Sequence, residues 1–323
     1  MAIKISGSTI VDDSRQLVNV GVSTLSAVTV TNDITANGNI IGDNSTNISG
    51  ISSVTATSFY GDGTNLTGVG WSPDAQYNLA AGTDAGHCFL SNSNSEYNIA
   101  IGWKAGCRIG QGSNNDDKNV AIGYAAGRDS CNSDQSVFIG AYAGCAGNGT
   151  ATESNVFIGF NAGAANQGGS ENVFLGKGAG QAKTTGSFNV SIGSCAEQCG
   201  VGQYNISIGH RAGRGQGTDG TCSANMNVFL GHYAGMCIES GNRNIAIGCD
   251  AACKLTTGDN NIGLGEKAMA LLTTGSDNIA LGHLSMGTGT VTGPDNIALG
   301  RESARSLTSG YQNVFIGCKA GYY

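Results

Sequence analysis

One five-position pattern returns along most of the chain: Asn, an aliphatic residue, an uncharged residue, a second aliphatic residue, Gly. It is seen in Asn98-Ile-Ala-Ile-Gly102, Asn155-Val-Phe-Ile-Gly159, Asn227-Val-Phe-Leu-Gly231 and Asn313-Val-Phe-Ile-Gly317. With the imperfect copies Asn78-Leu-Ala-Ala-Gly82 and Ser136-Val-Phe-Ile-Gly140 there are 14, and the commonest step between their glycines is 17 residues. Three residues past each glycine stands Ala or, at Ser285 and Ser303, Ser. Seven residues past it a second apolar column recurs, in Phe89, Ile109, Ile238, Leu255, Leu272 and Leu307. Aliphatic residues at alternate positions before a glycine predict a short strand and a turn. No segment sustains a helical period. A unit this short cannot bury its own apolar face and must stack on its neighbours. The pattern predicts an all-β fold: a parallel β-roll, or β-solenoid, of about 14 coils over residues 71–323. The Asn column is expected to form a ladder or to shape the turn into each strand.

The middle of the pentapeptide never carries a charge. The aliphatic residues on either side of it are expected to point into the coil, which turns the midpoint outward. An apolar outer face calls for a second packing surface, so the chain is expected to form a parallel homotrimer. Phe138, Phe157, Phe174, Phe229 and Phe315 are expected to line its axis.

Composition narrows the reading. The chain has 323 residues with 53 Gly, only 2 Pro, and 12% charged residues. That excludes a highly charged disordered chain. Net charge is −7, which does not suit a phosphate backbone, so nucleic acid is not an expected partner. No run approaches the ~20 apolar residues of a membrane-spanning helix, and the first residues do not read as a secretory signal.

The repeated Asn-[Ile/Val]-Ala-Ile-Gly-x-x-Ala resembles the head repeat of trimeric autotransporter adhesins, a parallel β-roll built by three chains. The 17-residue spacing with Thr256-Thr-Gly258 and Thr273-Thr-Gly275 looks more like the repeats of fibre proteins of marine bacteriophages. The segment Ser58-Phe-Tyr-Gly-Asp-Gly-Thr-Asn-Leu-Thr-Gly68 resembles a motif of phage tail fibres and other virion proteins. Residues 1–70 lack the repeat and alternate β-branched with polar residues. They are expected to be a β-rich attachment and shaft region, bounded near Trp71-Ser-Pro73.

Candidate chemistry is sparse. No cofactor is expected, no metal-ligand spacing stands out, and no catalytic set is recognisable, so an enzyme is not expected. The cysteines number 11. They read as small apolar filler or as bridges one coil apart, with Cys88–Cys107 and Cys131–Cys145 the first pairs to expect. Trp103, Tyr124 and Tyr142 fall on neighbouring coils and are expected to form an aromatic strip suited to sugar faces. The long steps place insertions near Ile109–Lys118 and Gly215–Met226, where recognition is also expected.

These features lead to one functional expectation. The chain is a structural fibre of a phage particle, a tail fibre or similar appendage, that adheres to a host receptor or glycan. It would be assembled in the host cytoplasm and reside in the virion. Its partners would be itself and, through the N-terminal region, other virion proteins, without membrane insertion. The alternatives are a cell-surface trimeric adhesin, disfavoured because neither signal nor anchor is recognised, and a polysaccharide-degrading tailspike.

Overall fold

The computed structural model describes residues 3–5, 8–11, 73–91, 94–111, 117–146, 152–216 and 222–322. The chain divides into two compact units, Met1–Gly63 and Thr64–Tyr323. In the first, the described strands Ile3–Ile5 and Ser8–Val11 pair antiparallel. The rest of the expected shaft, the Ser58–Gly68 motif and Trp71 lie outside the described residues, as do the centres of both insertions.

The second unit is the expected parallel β-solenoid. Each pentapeptide supplies one three-residue strand, such as Val156–Ile158 or Ile262–Leu264. Fourteen of these pair in chain order into one parallel sheet. Register is set by the repeat: Val156, Phe157 and Ile158 stand opposite Val173, Phe174 and Leu175, the equivalent residues one coil on. The only helix among the described residues is the 3-10 turn Phe89–Ser91.

The Asn column forms a ladder. Asn172 donates its backbone N–H (3.0 Å) and its Nδ2 (3.2 Å) to Oδ1 of Asn155. Nδ2 also donates to the Gly186 carbonyl (2.9 Å) at the next bend. Equivalent bonds run along the stack. Where Ser136 replaces Asn, its Oγ takes the acceptor's place for the Asn155 N–H (3.1 Å). These side chains are buried, and their amides satisfy backbone groups that a tight bend would otherwise leave unpaired. The glycine ending each strand is needed for space and conformation alike. Gly159 has φ of +134°, and a Cβ there would lie 2.6 Å from the carbonyl oxygen of Gly176.

The orientation of the strand is the reverse of the expected one. Its midpoint faces inward: Phe157 is 1% exposed and Ala100 0%. The aliphatic residues that flank it are half-buried or exposed, as at Ile158 and Ile247. Phe138, Phe157, Phe174 and Phe229 therefore fill the interior of a single chain, and Phe315 packs against the end of that core in the last coil. None of them is placed to line an axis between chains. Alternation shows which residues share a face, but when both faces are apolar it does not show which face is the interior.

Four columns fill that interior: the midpoint, the small Ala or Ser three past the glycine, the residue four past it, and the column seven past it. Their sizes compensate. Beside Phe157 the fourth residue is Gly163, whose added Cβ would come within 2.5 Å of the ring. Beside Gly263 it is the fully buried Met269, and beside Ala280 it is Met286. In these coils a large residue in one column stands beside a small one in another, as close packing demands.

Candidate binding surface

The turn after each strand brings the residue following the glycine to the outside. Trp103, Tyr124 and Phe160 occupy that place in their coils, and Tyr142 stands one residue further on. The coil-to-coil ladder aligns them: Tyr142 N–H donates to the Tyr124 carbonyl (2.9 Å), and Ala125 N–H to that of Trp103 (2.8 Å). The indole of Trp103 stacks on Tyr124 with centroids 4.6 Å apart. Tyr124 meets Tyr142 edge-on at 5.2 Å, and Tyr142 meets Phe160 in the same way at 6.4 Å. The three expected aromatics are therefore together, and Phe160 extends the strip by a coil. Trp103, Tyr124 and Phe160 are exposed and Tyr142 is half-buried. The Lys104 ammonium lies 4.6 Å from the Trp103 ring centroid. A hydrogen bond with Tyr124 raises the Tyr142 phenol above its ordinary range. Flat apolar faces edged with hydroxyls and a cation can hold the faces of sugar rings and hydrogen-bond their rims.

Beyond Lys177 and Ser194 the same column holds His210 and His232, with Tyr233 one residue further on. The two imidazoles are 5.3 Å apart and His232 lies 3.9 Å from Tyr233. Partial desolvation, then the charges of Arg211 and His232, lower the His210 imidazole. One coil on, ligand atoms of His232, Cys249 and Asp250 all lie within 4.8 Å of one another. These residue types could supply three ligands to a zinc-like ion from an exposed position. Sequence spacing did not reveal this set, because its members come from two coils that only the stacking brings together.

Two further stacked pairs lie just before the Asn column, Tyr77–Tyr97 at 5.2 Å and Phe188–Tyr204 at 4.9 Å. They too were missed. The signal was present as a column, since each occupies the residue before the pentapeptide Asn.

Among the described residues no disulfide is formed. Cys88 and Cys107 are neighbours in successive coils, with the Cys88 N–H donating to the Cys107 carbonyl (3.1 Å). Cys131 is not level with Cys145. The Cys145 carbonyl accepts instead from Asp129 (3.3 Å), two residues earlier, because Cys131 stands eight residues past its glycine and Cys145 five. The cysteine sulfurs the structure brings close are the buried Cys199 and Cys222, 3.1 Å apart, a pair not expected from spacing. Burial, together with the carboxylate of Asp250, pushes the Cys253 thiol up to about 11. No helix among the described residues is long and apolar enough to cross a membrane. Comparisons with protein-family models, curated proteins and solved structures find no match for the chain.

Proposed function

We propose that the chain is a structural and adhesive fibre protein, an appendage of a phage particle such as a tail fibre, that grips host-surface glycan through the Trp103–Phe160 ridge. The observation that carries the adhesive part is the run of aromatic rings on four successive coils, three of them exposed, on a rigid ladder. Rings held by a backbone lattice lose little freedom when a ligand binds. The phage assignment rests on the repeat spacing and on the resemblance of Ser58–Gly68 to tail-fibre sequences. No enzymatic step is part of this reading.

The fibre is proposed to be a parallel homotrimer, with an interface that differs from the one expected from sequence. The outer sheet face offers two columns of side chains, and both are aliphatic in every coil, as in Ile245 and Ile247 or Ile262 and Leu264. An uninterrupted apolar face of this length is uncommon on a solitary chain, and a second and third copy would cover it.

Binding of the purified full-length protein to a glycan array and to candidate host cells tests the adhesive part. Replacing Trp103, Tyr124 and Tyr142 together with Ser is expected to lower binding by at least tenfold while leaving the fold intact. Unchanged binding would remove the ridge from the reading. Peptide mapping of purified particles tests the virion assignment.

A further inference from the structure

The apolar core of the solenoid is not continuous. One cluster runs from Ala85 to Ala179 and a second from Ala212 to Ala304. Between them the Phe column gives way to Ser191 and Ser207, and two charged residues enter the interior. Lys183 stands in the column seven past the glycine, where other coils hold Ile109, Leu255 or Leu272. Glu197 stands four past the glycine, where most coils have Gly, and takes the same left-handed backbone with φ of +41°. Both are buried, the lysine at 1% and the glutamate at 4% exposure.

Their contacts converge on a third residue. Lys183 Nζ donates to Glu197 Oε1 (2.7 Å) and to the Gly202 carbonyl (2.9 Å). The same Oε1 accepts from Nδ2 of the buried Asn205 (2.9 Å). Ser191 Oγ holds the other carboxylate oxygen, Oε2 (2.7 Å). The Asn205 carboxamide oxygen accepts from the Asn227 backbone N–H (3.0 Å) and from Asn227 Nδ2 (3.2 Å). A carboxylate thus bridges an amine and a carboxamide, while two N–H donors polarise the carboxamide's carbonyl. A small cavity borders the group, lined by Lys183, Glu197, Asn205 and Ser207 among others, and the Ser207 hydroxyl on it has no hydrogen-bond partner.

We propose that Lys183 and Asn205 are the site of an intramolecular isopeptide bond, formed with Glu197 carrying the protons. Burial penalises both charges of the ion pair. Moving one proton along the Nζ–Oε1 bond gives an amine and a carboxylic acid. The amine lone pair attacks Cγ of Asn205, and the oxyanion that develops on Oδ1 is held by the two Asn227 donors. Glu197 delivers its proton to Nδ2 as the Cγ–Nδ2 bond breaks, and takes one from the attacking nitrogen. The products are a secondary amide between the two side chains and one molecule of ammonia, with Glu197 left as it was before the attack. Nothing is oxidised or reduced. The amide N–H that remains can still serve one of the acceptors around it, and the cavity gives the leaving ammonia room. The bond would clamp successive coils together where the apolar core is interrupted.

The test is the intact mass of the full-length wild-type chain, measured denatured and reduced, followed by peptide mapping. The expected result is a mass lower than the sequence mass by one ammonia, with the peptides carrying Lys183 and Asn205 recovered as one branched species. A full sequence mass overturns the proposal. So does a loss of ammonia with the two peptides recovered separately, which would mark a cyclised Asn instead. Glu197→Gln is expected to restore the full mass, and branched peptides persisting in that variant would overturn the role of Glu197. Should that variant fail to fold, the wild-type map still decides whether the bond exists.

Discussion

Phe157 fits inside its coil because residue 163 has no side chain. Phe157→Ala is expected to destabilise the chain by about 3–5 kcal/mol through the cavity it leaves. Gly163→Ala alone should also destabilise, since its Cβ meets the ring at 2.5 Å. Combining Phe157→Ala with Gly163→Met should recover part of the loss, because Met269 fills the same place beside Gly263 with φ of +53°. Denaturant unfolding of the single and double variants reads this directly. Thiol chemistry gives a second prediction at this scale. With Cys253 at about 11, roughly one part in a thousand is thiolate at pH 8, so alkylation should be slow beside that of an ordinary thiol. A thiol raised in the folded chain favours folding fully below its ordinary unfolded value. That contribution is lost as pH rises through about 11.

The unit that resists disruption at the scale of the element is the ladder rung. Asn261 accepts from the Asn278 N–H (3.1 Å) and donates to Asn244 Oδ1 (3.0 Å) and the Gly275 carbonyl (2.8 Å). Asn261→Ala takes these bonds from the Asn278 N–H and the Gly275 carbonyl, while Asn244 Oδ1 keeps the Asn261 backbone N–H (2.9 Å), and is expected to cost on the order of 3 kcal/mol in thermal or denaturant unfolding. Ser136 already occupies an Asn place with a shorter acceptor, so Ser136→Asn should be neutral or stabilising. The three-residue strands contribute pairing in both directions and little else. Each is stable only because the coils before and after it supply its partners.

At the scale of the whole molecule, the proposed trimer would associate through the outer sheet face. Ile262→Lys puts a charge on that face without touching the interior, where Gly263 and Met269 pack. The variant is expected to keep its far-ultraviolet spectrum and to lose the trimer in light scattering. A wild-type chain that is monodisperse as a monomer would remove the trimer from the functional reading. Salt should weaken the proposed association little, because the face it would bury is aliphatic rather than charged.

The repeat by itself determined the parallel solenoid, its 17-residue step and the Asn ladder, because register in a stack follows from spacing alone. It also determined that Trp103 and Tyr124 would meet, since residues one coil apart in the same column must be neighbours; Tyr142, one position further past its glycine, reaches Tyr124 edge-on in the folded stack. Only the tertiary structure decided which face of the strand is the interior. Val156 and Ile158 share one face and Phe157 takes the other, and both faces are apolar, so hydrophobicity could not choose between them. The choice is seen in the packing: Gly163 leaves room for the buried Phe157 ring and the buried Met269 stands beside Gly263, and that complementarity becomes visible only when the columns enclose the same space. The meeting of Lys183, Glu197 and Asn205 was decided in the same way. They stand in different columns of successive coils, and the bend of the chain, rather than the spacing of the repeat, carries them to one point.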